Sequence, residues 1–178
     1  MIRVVLTGPE CSGKTTLAAA LAEVFDVPWI PEAARRFAEG SPEPLSAATV
    51  EPIARMSMQM EDAVVLAAAR PKMIVRDTDL VSTVVYARHY YGASPVWIEQ
   101  AARTRLADLY LLCHPDLPWT SDGVRDRPMQ REELLADFRA ALVAFGANVV
   151  EVSGVGDARL LRASEAVAAL LKQQLSAP

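Results

Sequence analysis

Eight residues near the start of the chain carry the strongest chemical signal. Gly8-Pro9-Glu10-Cys11-Ser12-Gly13-Lys14-Thr15 matches the spacing G-x-x-x-x-G-K-[ST] in full. The glycines Gly8 and Gly13 let the backbone curl, so that the N–H groups along Glu10, Cys11 and Ser12 point inward at phosphate oxygens. The helix that opens there adds the positive end of its dipole. Lys14 is placed to reach β- and γ-phosphates, and Thr15 offers a hydroxyl to Mg²⁺. Thr16 extends the same run. ATP or GTP with Mg²⁺ is the expected ligand, and Lys14 is expected to be solvent-accessible until it arrives. The competing reading is a glycine-rich turn that binds nothing. A strand before the motif and an amphipathic helix after it argue for the phosphate loop.

Carboxylates come next. Asp77 ends the expected buried strand through Ile74-Val75-Arg76, where open α/β sheets place ligands beyond the carboxyl ends of their strands. It is a candidate to orient Mg²⁺ or to take a proton from an attacking hydroxyl. Asp79 is a candidate for the other task, or for capping the helix that follows. Glu32 ends a second strand, as a general base, a hydroxyl-binding group or a solvated helix-start carboxylate. Arg35 and Arg36 beside it share that ambiguity, and Arg36 joins Glu32 as a substrate-side candidate.

Arg125, Arg127 and Arg131 fall within seven residues, in a loop containing Gly123 and Pro128. Guanidinium groups stabilise charge on a phosphoryl group in flight, and a closing loop excludes water. The plainer alternative pairs them with Asp122, Asp126 and Glu132 at the surface. Aromatic residues are scarce, yet Tyr86, His89, Tyr90, Tyr91 and Trp97 crowd one stretch. They are either core or a stacking surface for a planar base. Tyr90, Trp97 and Trp119 are carried as substrate-binding candidates. Cys11 and Cys113 are expected to be reduced and inert.

The elements that must position these groups alternate in type. Strands are expected at 2–7, 27–31, 72–76, 109–113 and 148–152. Helices are expected at 14–25, 33–39, 45–70, 80–91, 95–107, 130–145 and 157–175, with Pro52 as a break or first-turn residue in the third. Strands alternating with helices imply a parallel sheet covered on both faces, an α/β fold. The two prolines of the second strand suit only an edge. One continuous pattern over 178 residues predicts one domain, 1–178. The net charge of −4 without a basic run argues against nucleic acid as a partner. No apolar stretch is long enough to span a membrane, and with two cysteines and no leader-like start the expectation is a cytoplasmic protein.

Taken in order, the phosphate loop, Trp29-Ile30-Pro31-Glu32-Ala33-Ala34-Arg35, Asp77-Thr78-Asp79-Leu80, Tyr91-Gly92, Tyr110-Leu111-Leu112-Cys113, Pro118-Trp119 and Asp122-Gly123-Val124-Arg125-Asp126 resemble the ribosylnicotinamide kinase domain of bacterial NAD-salvage proteins, with the AAA-type small ATPases grouped with it. The resemblance covers nearly the whole chain. It implies a P-loop fold with strand order 2-3-1-4-5 and an arginine-bearing lid at about 115–131. It implies ATP-dependent phosphorylation of the 5′-hydroxyl of nicotinamide riboside. It places Lys14 and Thr15 at phosphates and Mg²⁺, Asp77 at the catalytic centre, and Arg125 with Arg127 or Arg131 in the lid. Gly154, Asp157 and Arg159 would flank the adenine. The alternatives are a kinase of another nucleoside or nucleotide, and a regulatory ATPase acting on a protein partner.

Overall fold

The computed structural model describes residues 1–41, 44–67, 71–119 and 130–176. The chain runs β1 (Ile2–Thr7), α1 (Lys14–Phe25), β2 (Trp29–Ile30), α2 (Ala33–Glu39), a 3₁₀ turn (Ala47–Thr49), α3 (Val50–Ala67), β3 (Met73–Asp77), α4 (Leu80–Tyr91), α5 (Val96–Thr104), β4 (Leu109–Cys113), α6 (Arg131–Phe145), β5 (Val149–Val152) and α7 (Gly156–Ser176). The sheet is parallel, in the order β2-β3-β1-β4-β5.

Side chains alternate across a strand, and β1 shows what that does here. Val4 and Leu6 enter the core under α1 and α7, with Leu17, Leu21 and Val167. Val5 enters the opposite core, with Leu80, Val84, Phe138 and Leu142 of α4 and α6. Both faces are covered, so the central strands read as continuous apolar runs. Because β1 lies between β3 and β4, the loop leaving β1 emerges between the ends of two neighbours. Leu6 pairs with Asp77 and Thr7 with Leu112. That register sets the phosphate loop beside the first carboxylate.

Three boundaries differ from the sequence expectation. The long helix expected over 45–70 begins later. Ser46 and Thr49 close a reciprocal cap around the 3₁₀ turn, and α3 starts at Val50 with Pro52 in its first turn, where a missing N–H costs nothing. The fifth helix spans only Val96–Thr104, because Pro95 is its N-cap. The edge strand β2 shrinks to two residues, since Pro28 and Pro31 flank it.

An ion cluster that residue spacing does not reveal lies between α3 and the sheet. Glu61 is 1% exposed and takes an ion pair from Arg76, itself buried, and from Arg3 at 2.6 Å. Arg105 approaches it at 3.4 Å. Arg76 also donates to the Ser57 hydroxyl at 2.8 Å. This cluster fixes β3 against α3 one residue before Asp77. None of the described helices is long and apolar enough to cross a membrane.

Candidate active site

The phosphate loop is fully described and already curled. Gly8, with φ of 131°, packs so tightly on β4 that an added Cβ would stand 2.5 Å from the carbonyl oxygen of Cys113. Cys11 adopts a left-handed φ of 50°, and Gly13, at 74°, precedes the first residue of α1. Alternation of this kind turns successive N–H groups to one side, forming an anion nest. Lys14 is 6% exposed rather than open to solvent as expected. Its Nζ donates to the Pro9 carbonyl at 2.7 Å, and the Ser12 hydroxyl donates to the same oxygen at 2.8 Å. The ammonium is folded onto the loop, where the carbonyl gives the buried charge a hydrogen-bond partner.

Asp77 lies against this loop. Its Oδ2 accepts from the Thr15 hydroxyl at 2.5 Å, and its Oδ1 is buried with no hydrogen-bond partner. Burial, then the nearby Glu32, push its carboxyl above the ordinary range, while Lys14, Thr15 and Arg35 oppose this. An orphaned buried carboxylate oxygen beside a hydroxyl suits a hard cation with oxygen ligands, and so fits Mg²⁺. Glu32, the N-cap position of α2, is buried at 7% exposure. Arg35 acts on Asp77 electrostatically, whereas the expected Arg36 is exposed. Helix spacing decided between the two, and it was not resolved in the sequence.

A cleft of about 510 Å³, counting its open mouth, begins at Glu32 and Thr78. Tyr86, Tyr90 and Tyr91 of α4 line one wall, and Val50, Ile53 and Ser57 of α3 line another. The rings of Tyr86 and Tyr90 are parallel, 6° apart in tilt, with centroids 6.0 Å apart. Both hydroxyls reach the phosphate loop: Tyr86 donates to the Gly8 carbonyl at 3.0 Å, and Tyr90 donates to the Glu10 carboxylate. Thr78, a β-branched residue, holds a φ of 64° at the cleft. Such a conformation is costly and concentrates at functional sites. Thr78 was not singled out as a site candidate in the sequence, and Tyr86 stood there only within an aromatic group read as either core or a stacking surface. The i, i+4 spacing of Tyr86 and Tyr90 was the available signal.

Other candidates lie elsewhere. Trp97 does not line the cleft: its indole donates to Glu51 at 3.0 Å, and Arg55 stacks 4.6 Å from its ring centroid. His89 turns toward Asp137 of α6, at 2.7 Å. Asp79 is the N-cap of α4, accepting from Ser82 N–H at 3.2 Å and from the Tyr110 hydroxyl at 2.6 Å. Burial pushes its carboxyl up. Both oxygens are committed to the fold, which speaks for the capping alternative. Trp119 is half-buried, and its indole N–H has no acceptor among the described residues. Arg125 and Arg127 lie outside the described residues. Arg131 opens α6, and its guanidinium donates to the carbonyls of Leu117 and Cys11, both at 3.1 Å. Gly154 donates its N–H to Asp116 at 2.6 Å, Asp157 is exposed in the first turn of α7, and Arg159 is 4% exposed. Neither Cys11 nor Cys113 forms a disulfide.

Comparison with known proteins agrees with this geometry. A family model described as an AAA domain matches residues 3–159, from β1 to the first turn of α7. The chain belongs to this AAA domain family. The "Trifunctional NAD biosynthesis/regulator protein NadR" of Salmonella typhimurium is 28% identical over 181 residues, covering 96% of this chain and 43% of the relative. The chain thus spans less than half the length of that curated relative. A solved structure of NadR in complex with NR superposes with a TM-score of 0.78 at 24% identity, covering 95% of this chain and 51% of that one. A second, of NadR in complex with NAD and AMP-PNP, gives 0.76 at 23% identity, with 95% and 49% covered. These likenesses establish the P-loop fold, with the strand order seen here.

Proposed function

We propose that this chain transfers the γ-phosphoryl group of ATP to the 5′-hydroxyl of a nucleoside-type acceptor, with nicotinamide riboside as the leading substrate. One observation carries the reading: the phosphate loop and a tyrosine-lined cleft meet at Asp77 and Glu32. The NadR likenesses, one with NR and one with AMP-PNP, support the choice of acceptor and donor.

The residues divide the work by position. The loop N–H groups bind the β- and γ-phosphates, and Lys14 exchanges the Pro9 carbonyl for phosphate oxygen. Thr15 and Asp77 would hold Mg²⁺, which supplies charge neutralisation at the phosphates when bound. With Asp77 so engaged, Glu32 at the cleft is the group that orients the acceptor hydroxyl and takes its proton. The parallel rings of Tyr86 and Tyr90 offer an apolar surface for a planar base. By the family resemblance, Arg125 and Arg127 would supply positive charge to the transferring phosphoryl group. Catalysis of this kind is positioning and electrostatics.

The test is an acceptor panel. With saturating Mg-ATP, kcat/KM is measured for nicotinamide riboside, thymidine, other nucleosides and nucleoside monophosphates. Nicotinamide riboside is expected to lead by about tenfold or more, a discrimination well within what pocket contacts supply. A different leader would reassign the acceptor. Slow hydrolysis that no acceptor alters would replace the kinase with a regulatory ATPase.

A further inference from the structure

Arg159 stands one turn into α7, far along the chain from the phosphate loop, yet its guanidinium ends on it. One terminal nitrogen donates to the Ser12 carbonyl at 2.6 Å and to the His114 carbonyl at 3.1 Å. The other donates to the Gly154 carbonyl at 2.8 Å and lies 3.5 Å from Asp116 Oδ2. Nε is buried without a partner.

Two physical consequences follow. A trans peptide points its C=O and N–H in opposite directions. Holding the Ser12 carbonyl from outside therefore turns the N–H of Gly13 toward the inside of the loop, where phosphate binds. Arg131 does the same one residue earlier, through the Cys11 carbonyl and the N–H of Ser12. The second consequence concerns charge. Buried cations need a counter-ion. Asp116 is one-third exposed, stands 3.5 Å away and also serves the Gly154 N–H. Most of the guanidinium is spent on neutral carbonyls and its one carboxylate partner is partly open to solvent and shared, so the positive charge directly behind the loop is only partly compensated.

We propose that Arg159 is a positioning residue for polyphosphate. It aims a loop N–H and adds a buried positive charge that the phosphates of the bound nucleotide complete. It does this without touching the adenine that the family resemblance assigns to its neighbourhood. The inference rests on the reading of the loop as an ATP site, and is independent of which acceptor is phosphorylated.

The experiment compares Arg159→Met and Arg159→Lys with wild type. Affinities for ATP, ADP and adenosine are measured by competition against a fluorescent ATP analogue, alongside thermal unfolding and steady-state kinetics. Arg159→Met is expected to weaken ATP and ADP by about tenfold or more, as loss of a charge-assisted contact does, while adenosine changes little. KM for ATP rises and KM for the acceptor stays put. Arg159→Lys keeps the charge but cannot grip several carbonyls at once, so it recovers part of the loss. It also serves as the probe should the Met variant fail to fold. Equal losses for ATP and adenosine would make Arg159 an adenine contact and overturn the proposal. So would ATP affinity unchanged in both variants. Wild-type protein that binds no ATP would overturn the site reading and this inference together. Wild-type protein that binds ATP yet phosphorylates no riboside would remove only the acceptor, leaving the variants to decide on Arg159.

Discussion

Replacing Glu61 with Ala probes how the fold holds β3, and with it Asp77. Glu61 and Arg76 form an ion pair in which the side chains are 1% and 4% exposed. Removing one partner of a buried pair leaves the other charged and desolvated, which costs about 3–5 kcal/mol. Arg3 and Arg105, at 31% and 25% exposure, also lose a partner. Solvent screens them, so each adds at most about 0.5 kcal/mol. The expected loss for Glu61→Ala is therefore about 3–5 kcal/mol, a fifth or more of the 5–15 kcal/mol that holds an ordinary domain together. Among the described residues Arg76 hydrogen-bonds no second carboxylate, only Ser57, while Asp79 and Asp62 feel its charge from further off. Glu61→Gln keeps an acceptor and should cost less. The double variant Glu61→Ala with Arg76→Met removes both charges and should recover most of the loss. Urea unfolding at pH 7, followed by circular dichroism, measures all four proteins, with the slope of each transition confirming a shared unfolding reaction. A loss under about 1 kcal/mol for Glu61→Ala would refute the reasoning, because a buried guanidinium cannot be stranded that cheaply.

Four further outcomes are expected. Gly8→Ala must place a Cβ 2.5 Å from a backbone oxygen at a φ of 131°, so it should destabilise by about 2–5 kcal/mol and disable nucleotide binding; a calorimetric scan and ATP titration check both. Gly13→Ala meets only the Leu117 side chain, at 2.7 Å, and pairing it with Leu117→Ala should restore part of what it loses. Asp77→Asn removes a carboxylate whose ionised form the fold disfavours. The nucleotide-free variant should melt about 2–4 °C higher for each kcal/mol relieved, while turnover falls about a hundredfold or more. A lower melting point would contradict the burial argument. At the surface, Glu151 is held down to about 2 by Arg139, which grips it through two bonds of 2.7 Å, and by His114. A depressed carboxylate contributes stability above its ordinary value of 4.5 and loses it as pH falls toward about 2. Glu151→Gln should therefore cost under about 1 kcal/mol at pH 7, given its exposure, and the difference should vanish at the acid end of that window.

Much of this was legible in the residue pattern, for reasons the structure makes plain. The phosphate loop is contiguous in sequence, and its neighbours are a buried strand and a helix that periodicity reveals. Asp77 was readable because it closes such a strand. What the sequence hid depends on approach between distant segments. Arg159 and Ser12 are far apart in the chain, and nothing in α7 marks one arginine as buried. Glu61 sits on a helix face where a carboxylate normally reads as solvated, and only the arginine entering from β3 explains it. Trp97 shows the converse error. Its closeness in sequence to Tyr90 and Tyr91 suggested one aromatic group, but α5 leaves α4 after Gly92 and carries it to Glu51 and Arg55 instead. Lys14 was expected to stand open because phosphate loops bind from solvent. In the structure the ammonium instead donates to the loop's own Pro9 carbonyl.

The most direct test of the central claim follows the phosphorus itself. Purified protein, Mg-ATP and nicotinamide riboside are mixed and monitored by ³¹P NMR. The account predicts that the γ-phosphate signal decays into a phosphomonoester on the riboside 5′-hydroxyl, growing in step with ADP and absent in Lys14→Ala. ADP accompanied only by inorganic phosphate, at a rate the riboside leaves unchanged, would contradict it.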